Sequence, residues 1–226
     1  NARLVWEAFL WGPRLYYPLL KEIKASFLDT AQHYSDLGKH GDQYVALLTY
    51  AALDQSDTFS ASELAAATKA LPQEGLQEAA QTLTQALEGS GDQRASYWDY
   101  RIVRYFHDIW PKTQDKVSPS ISRSFGRLCI AAREAFPVAL KHLGPWIMSP
   151  ASPDFLVHFL EEEKLCDRFP EPALDFLDRI LSTLPNWVPP GLRVCLKEIA
   201  VADSTLVSDS RYIRIENYLR ENGGGE

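Results

Sequence analysis

Apolar residues return at three-to-four spacing through most of the chain, in blocks cut by proline, glycine or short polar runs. Trp6, Phe9, Leu10 and Trp11 open a first apolar face that Gly12-Pro13 interrupts, because proline suits the first turn of a helix and not its interior. Leu15, Leu19, Ile23, Phe27 and Tyr34 then share one side of a helix over 15–37, which Pro18 must kink or start late. Val45, Leu48 and Ala52 mark the next helix, with Asp42 as its expected cap. Ser60 and Glu63 have the spacing of a capping box, so a helix starts near Ala61 and ends at Leu71-Pro72. Leu76, Ala79, Ala80, Leu83 and Leu87 continue the register until Gly89-Ser90-Gly91.

A long aromatic helix follows over 92–109, with Asp92 as cap and Trp110-Pro111 as terminator. Residues 112–117 read as a polar loop. Ser118-Pro119 reads as the cap and first turn of a helix through Phe125, Leu128, Cys129 and Ala132 that ends near Phe136-Pro137. Shorter helices come next, over 138–147, 155–165, 170–184, 190–200 and 209–218, before a glycine tail at 223–226 that is expected to be disordered. Valine and isoleucine are sparse, and no Asn-Gly or Asp-Gly pair sits between alternating runs, so no strand is expected.

Phe136-Pro137 and Phe169-Pro170 lie 33 residues apart, and Leu71-Pro72 with Leu76 and Leu83 matches Phe169-Pro170 with Leu174 and Leu181. That is the length of a two-helix repeat unit. The expected fold is all-α, an irregular helical-repeat-like array or multi-helix bundle of about ten to twelve helices. It should form a single domain over 1–222, divisible into sub-lobes 3–90 and 91–222.

Charge changes this picture locally. The chain of 226 residues carries a formal charge of -7, which argues against a general polyanion binder. From Arg94 to Arg133, however, eight basic residues face three acidic ones, a local +5 that leaves -12 elsewhere. Arg94, Arg101 and Arg104 lie at spacings of seven and three, with Trp98 and Tyr105 on or beside that face. Basic groups interleaved with aromatics suit phosphate contact and base stacking, or an acidic protein partner or sister domain. They equally suit a core stripe whose arginines pair with carboxylates, such as the run Glu161 to Glu163.

Catalytic and metal-binding patterns are missing from the sequence. The five histidines form no His-Glu-x-x-His, and His158 and Glu161, one turn apart, make at most a proton-transfer pair or half a metal site. No nucleophile elbow or glycine-rich phosphate loop occurs. Cys129, Cys166 and Cys195 stand far apart among apolar neighbours and read as reduced core thiols. No apolar run approaches the roughly 18 residues of a membrane span, and no signal-peptide core opens the chain, so a cytoplasmic protein is expected. Asn1 is no translation start, which points to processing or excision from a longer chain. Trp6, Trp11, Trp146 and Trp187 lie near element ends, where tryptophan either seals a core or anchors a neighbouring domain, Trp6 and Trp11 being the first candidates for anchors.

The segments Gly12-Pro-Arg-Leu-Tyr-Tyr-Pro-Leu-Leu20, Asp57-Thr-Phe-Ser-Ala-Ser-Glu-Leu64, Leu71-Pro-Gln-Glu-Gly-Leu76, Gly91-Asp-Gln-Arg94 with Tyr97-Trp98, Ile109-Trp-Pro-Lys112 and Arg168-Phe-Pro-Glu-Pro-Ala-Leu174 resemble, in their order, the C-terminal helical region of large bacterial proteins. Some of these carry an N-terminal sirtuin-like, NAD-hydrolysing domain and act in defence against phage. The resemblance spans most of the chain and implies a sensor, scaffold or oligomerisation region. No catalytic residue transfers, because the nucleotide-binding loops and catalytic histidine of a sirtuin have no counterpart here.

The expectation is therefore a non-enzymatic helical interaction domain without cofactor or metal, from the C-terminal part of a larger bacterial protein. Its partners would be other domains or subunits of that protein, or a separate protein. Its contact residues would be Arg94, Trp98, Arg101, Arg104, Tyr105, Trp6 and Trp11. The alternative is a nucleic-acid-contacting module that uses the helix over 92–110.

Overall fold

Two helix starts read from the sequence are set, as expected, by side chains that meet the first unpaired backbone N–H groups. The computed structural model describes residues 24–54, 58–112, 118–148 and 152–222. Ser60 caps α3 (Ala61–Ala70): its Oγ accepts from the Glu63 N–H at 3.3 Å, and the Ser60 N–H donates to the Glu63 carboxylate at 2.8 Å. Ser118 caps α7 (Pro119–Ala131), accepting from the Ile121 N–H at 3.3 Å with Pro119 in the first turn. Each such cap contributes about 1 kcal/mol.

The described residues are all-α, with no strand among them. In chain order they form α1 (Lys24–Asp29), single 3-10 turns over Thr30–His40, α2 (Gly41–Leu53), α3 and α4 (Gln73–Gly89). Then come α5 (Arg94–Tyr97), a wide π-turn (Trp98–Ile102), α6 (Val103–Asp108), α7, α8 (Phe136–Leu143) and α9 (Asp154–Glu162). The last are α10 (Leu165–Arg168), α11 (Pro170–Ile180), α12 (Leu192–Ala202) and α13 (Ser210–Asn222). Trp6, Trp11, the stripe before Lys24, most of the loop over 112–117 and the glycine tail lie outside the described residues.

Several boundaries differ from expectation. The helix read over 15–37 stops at Asp29, where the Thr30 hydroxyl donates back to the Ser26 carbonyl at 2.7 Å, and His33 and Gly38 then leave helical geometry. Asp42 lies inside α2, not at its cap, and Asp92 lies in a 3-10 turn before α5. The α7 helix ends at Ala131, not near Pro137, because Arg133 takes a left-handed backbone (φ 48°); Pro137 then opens α8. Lys164 (φ 56°) likewise separates α9 from α10 within the expected 155–165 helix.

The described residues divide into two compact units. One holds those up to Gly89 together with 99–112; the other holds 90–98 and those from 118 onward. The chain thus leaves the first unit after Gly89, returns to it at Asp99 and has left it again by 118. In the first unit α2 packs along α4, closing Leu76, Ala79, Ala80, Leu83 and Leu87 against solvent. Phe27 centres a ring cluster with Tyr44 at 5.2 Å and Phe59 at 5.4 Å, and the Tyr44 hydroxyl donates to the Phe27 carbonyl at 2.9 Å. In the second unit α12 lies against α10, α11 and α9, and α7 lies against α8 and α9. Phe125, Phe136, Phe176, Leu156, Leu160 and Ile199 are fully buried there. Gly126 allows the close approach of α7 to α9, since a Cβ on it would stand 2.7 Å from a Leu156 methyl.

Candidate interaction surface

The basic-aromatic stripe of the central helix is the sequence's leading candidate, and its side chains other than Arg104 are turned inward. Trp98 is fully buried and Tyr105 is 2% exposed, so neither ring offers a face for stacking. In the first unit the Arg101 Nη1 donates to the Leu53 carbonyl, the last of α2, at 2.8 Å. In the second, the Arg94 Nη1 donates to the Ala131 carbonyl, the last of α7, at 3.3 Å. Both arginines therefore satisfy orphan carbonyls at the negative ends of helix dipoles. The spacing that aligned these residues is the spacing of a core stripe, and a guanidinium on such a stripe must find acceptors inside the protein. The Tyr105 phenol, pushed up to about 12 by burial, is held back from rising further by the hydroxyls of Thr49 and Thr68 beside it. Neither threonine hydroxyl has another partner among the described residues.

Arg104 alone of the described stripe arginines keeps an exposed head (61%), 4.0 Å from Asp108. It borders a cleft of about 450 Å³ in the first unit, lined also by Lys24, Phe59, Ser60, Glu63 and Asp108. Lys24 pairs with Glu63 at 2.8 Å and lies over the Phe59 ring, and His107 meets Asp108 at 2.6 Å. The Ser60 hydroxyl serves the helix cap. Cations and carboxylates in this cleft thus answer one another, and its serine is held in a structural role.

The remaining chemistry-bearing groups of the sequence are also drawn into structure. Glu163 holds Arg133 at 2.7 Å, and Lys164 reaches Glu198 at 3.0 Å. Glu161 and His158 do not act as a pair: the Glu161 carboxylate lies against Gly191 at the start of α12, and the His158 ring lies against Phe159. Cys129, Cys166 and Cys195 are buried free thiols; burial pushes Cys129 up, and a hydrogen bond with Cys195 together with burial pushes Cys166 up, away from the reactive thiolate. Trp187, half-exposed, donates to the Asp154 carboxylate at 2.8 Å. Among the described residues no three His, Cys, Asp or Glu side chains converge as metal ligands, and no helix is long and apolar enough to cross a membrane.

A basic-aromatic surface does exist, on the second unit, where the sequence reading missed it. Arg123 and Arg127 stand one turn apart on the exposed side of α7. Phe155 and Phe159 stand one turn apart on α9, in edge-to-face contact at 4.2 Å. The Arg123 guanidinium lies over Phe155 at 5.0 Å, and that of Arg127 lies 5.7 Å from both rings. The rings are part-buried and the arginines exposed. Arg123 has no carboxylate within ion-pairing distance among the described residues. The signal available in the sequence was the pair of i,i+4 repeats, Arg-x-x-x-Arg and Phe-x-x-x-Phe, but nothing in it says that the two helices are neighbours.

Comparison with known proteins adds little. The chain is 27% identical over 126 residues to an uncharacterized protein, y4cA, of Sinorhizobium fredii; the match covers 55% of this chain and 10% of that protein. No protein-family profile and no solved structure matches the chain.

Proposed function

We propose that this chain is a non-enzymatic helical interaction domain, working in the cytoplasm as a scaffold, sensor or oligomerisation part of a longer bacterial protein. The observation that carries this reading is the surface of exposed Arg123 and Arg127 beside part-buried Phe155 and Phe159, because arginine and aromatic side chains are the residues enriched where proteins meet. The Sinorhizobium fredii relative, of which the matched segment is one tenth, agrees with a place inside a longer chain. The alternative, nucleic-acid contact through the helix over 92–110, loses two of its stacking rings to the core, since Trp98 and Tyr105 are buried, and keeps Tyr100, which is exposed.

The test is a photo-crosslinking amino acid at Ser120, exposed one turn before Arg123, in the full-length protein expressed in its own host. Irradiation should give a discrete adduct with another protein, or with another region of the same protein, and the same probe at exposed Ser208 should not. A chain that gives no adduct from Ser120 in the cell is no interaction domain through this surface.

A further inference from the structure

The cleft of the first unit holds two ion pairs of unequal tightness beside an apolar wall. We infer that it is a binding site for a free α-amino acid with an apolar side chain, whose carboxylate is received by Arg104 and whose ammonium is received by Asp108. The site is separate from the surface on the second unit and does not depend on it.

The first observation is charge balance. Lys24, Arg104, Glu63 and Asp108 line the cleft, two cations and two carboxylates, so its charged groups sum to zero. Such a lining complements a ligand that carries both charges better than a plain anion or cation. A zwitterion has no net charge, so the chain's -7 neither draws it in nor repels it.

The second is which groups are open. Lys24 and Glu63 stand 2.8 Å apart, Lys24 lies over the Phe59 ring, and Glu63 also accepts from the Ser60 N–H and hydroxyl. That pair is closed. Arg104 and Asp108, one turn apart on α6, meet only at 4.0 Å between Nε and Oδ2. The Arg104 head makes no hydrogen bond among the described residues, and Asp108 makes one, through Oδ1 to His107 at 2.6 Å. A planar N–H edge and a carboxylate oxygen therefore stand unbonded side by side. The first matches a carboxylate with two parallel hydrogen bonds, the second accepts from an ammonium, and an α-amino acid carries both groups on one carbon. An exposed ion pair one turn apart contributes little to folding, so a ligand that opens it displaces little.

The third is room and surroundings. The cleft has a volume of about 450 Å³, within the range of about 300–1,000 Å³ of small-molecule sites. Ala51, Phe59, Leu64 and Ile109 supply its apolar wall, and the Ser60 hydroxyl is held in the cap of α3. A hydrocarbon side chain on the ligand meets like surface there, whereas a polar one would lose water without gaining a partner.

The test is calorimetric titration of the intact chain with leucine and with phenylalanine, each up to about 10 mM. Beside them run 4-methylpentanoate and 3-methylbutylamine, which are leucine without its ammonium and without its carboxylate. At least one amino acid should bind, and both truncated analogues should bind about tenfold or more weaker than leucine or not at all. Arg104→Ala and Asp108→Asn should each lower the affinity by about tenfold or more, and Arg104→Lys, which keeps charge but loses the planar fork, by about threefold or more. Arg220→Ala, at an exposed site on α13, should leave it unchanged. Unfolding midpoints establish that every variant keeps its fold, and Arg104→Lys carries the test if the alanine variant does not. No binding of either amino acid, equal binding of either truncated analogue, unchanged affinity in Asp108→Asn or in the Arg104 variants, or an equal loss in Arg220→Ala overturns the inference. The interaction reading is untouched by such a result, because crosslinking from Ser120 decides it separately.

Discussion

The Arg101 guanidinium donates to the carbonyl oxygen of Leu53 at 2.8 Å and so closes the C-terminal end of α2. A positive charge at the negative end of a helix dipole, hydrogen-bonded and part-buried, contributes to stability and not to binding. Arg101→Ala should lower stability by about 1–2 kcal/mol, whereas Arg104→Ala should change it by less than about 0.5 kcal/mol. Urea unfolding midpoints of the two variants against the parent chain check this, and equal midpoints would mean that the Leu53 contact is not made in solution.

Gly126 faces Leu156 so closely that a Cβ would stand 2.7 Å from a methyl carbon. Gly126→Ala should therefore push α9 away from α7 and destabilise the second unit by about 1–3 kcal/mol, although alanine is the better helix former by about 1 kcal/mol. The double variant Gly126→Ala/Leu156→Ala should couple: the glycine substitution should cost less once the leucine is gone. Additive losses in thermal unfolding would sink this account.

Lys164 sits in the left-handed region between α9 and α10, where a side chain costs about 1 kcal/mol relative to glycine. Lys164→Gly should be more stable than Lys164→Ala by about 1 kcal/mol, the reverse of the order inside a helix. Both variants lose the exposed pair with Glu198, so that loss cancels in the comparison. Alanine equal to or better than glycine would show that the backbone there is not left-handed.

Asp209 accepts from the Arg211 guanidinium at 2.8 and 3.0 Å and from the Arg211 N–H at 2.8 Å, and these bonds hold its carboxyl down at about 2. A folded-state value below the unfolded one, near 4, means that the ionised form favours folding. This contribution is present above about pH 4 and is lost as pH falls towards 2. Glu63, held at about 2 chiefly by Lys24 and then by Ser60, follows the same course. Unfolding midpoints measured between about pH 2 and 5 should fall with acid, and Asp209→Asn should flatten the slope; an unchanged slope would remove the Arg211 contacts from the folded state.

The local pattern of the chain determined its helices wherever a helix boundary is a short-range event. Ser60 with Glu63 and Ser118 with Pro119 act within one turn, and apolar spacing alone placed Leu76, Leu83, Phe125 and Leu128 in the core. Boundaries made by distant neighbours were not legible: Arg133 and Lys164 take left-handed backbone while ion-paired to Glu163 and Glu198, each about thirty residues away. The surface followed the same rule. Periodicity put Arg94, Trp98, Arg101 and Tyr105 on one side of a helix, but it cannot say whether that side meets water or other helices, and packing turned it inward. Tertiary structure also decided that α7 lies beside α9, through the gap left by Gly126, and thereby brought Arg123 and Arg127 over Phe155 and Phe159. A helix specifies its own faces through bonds a few residues long, whereas the neighbour each face meets depends on contacts that no local spacing encodes.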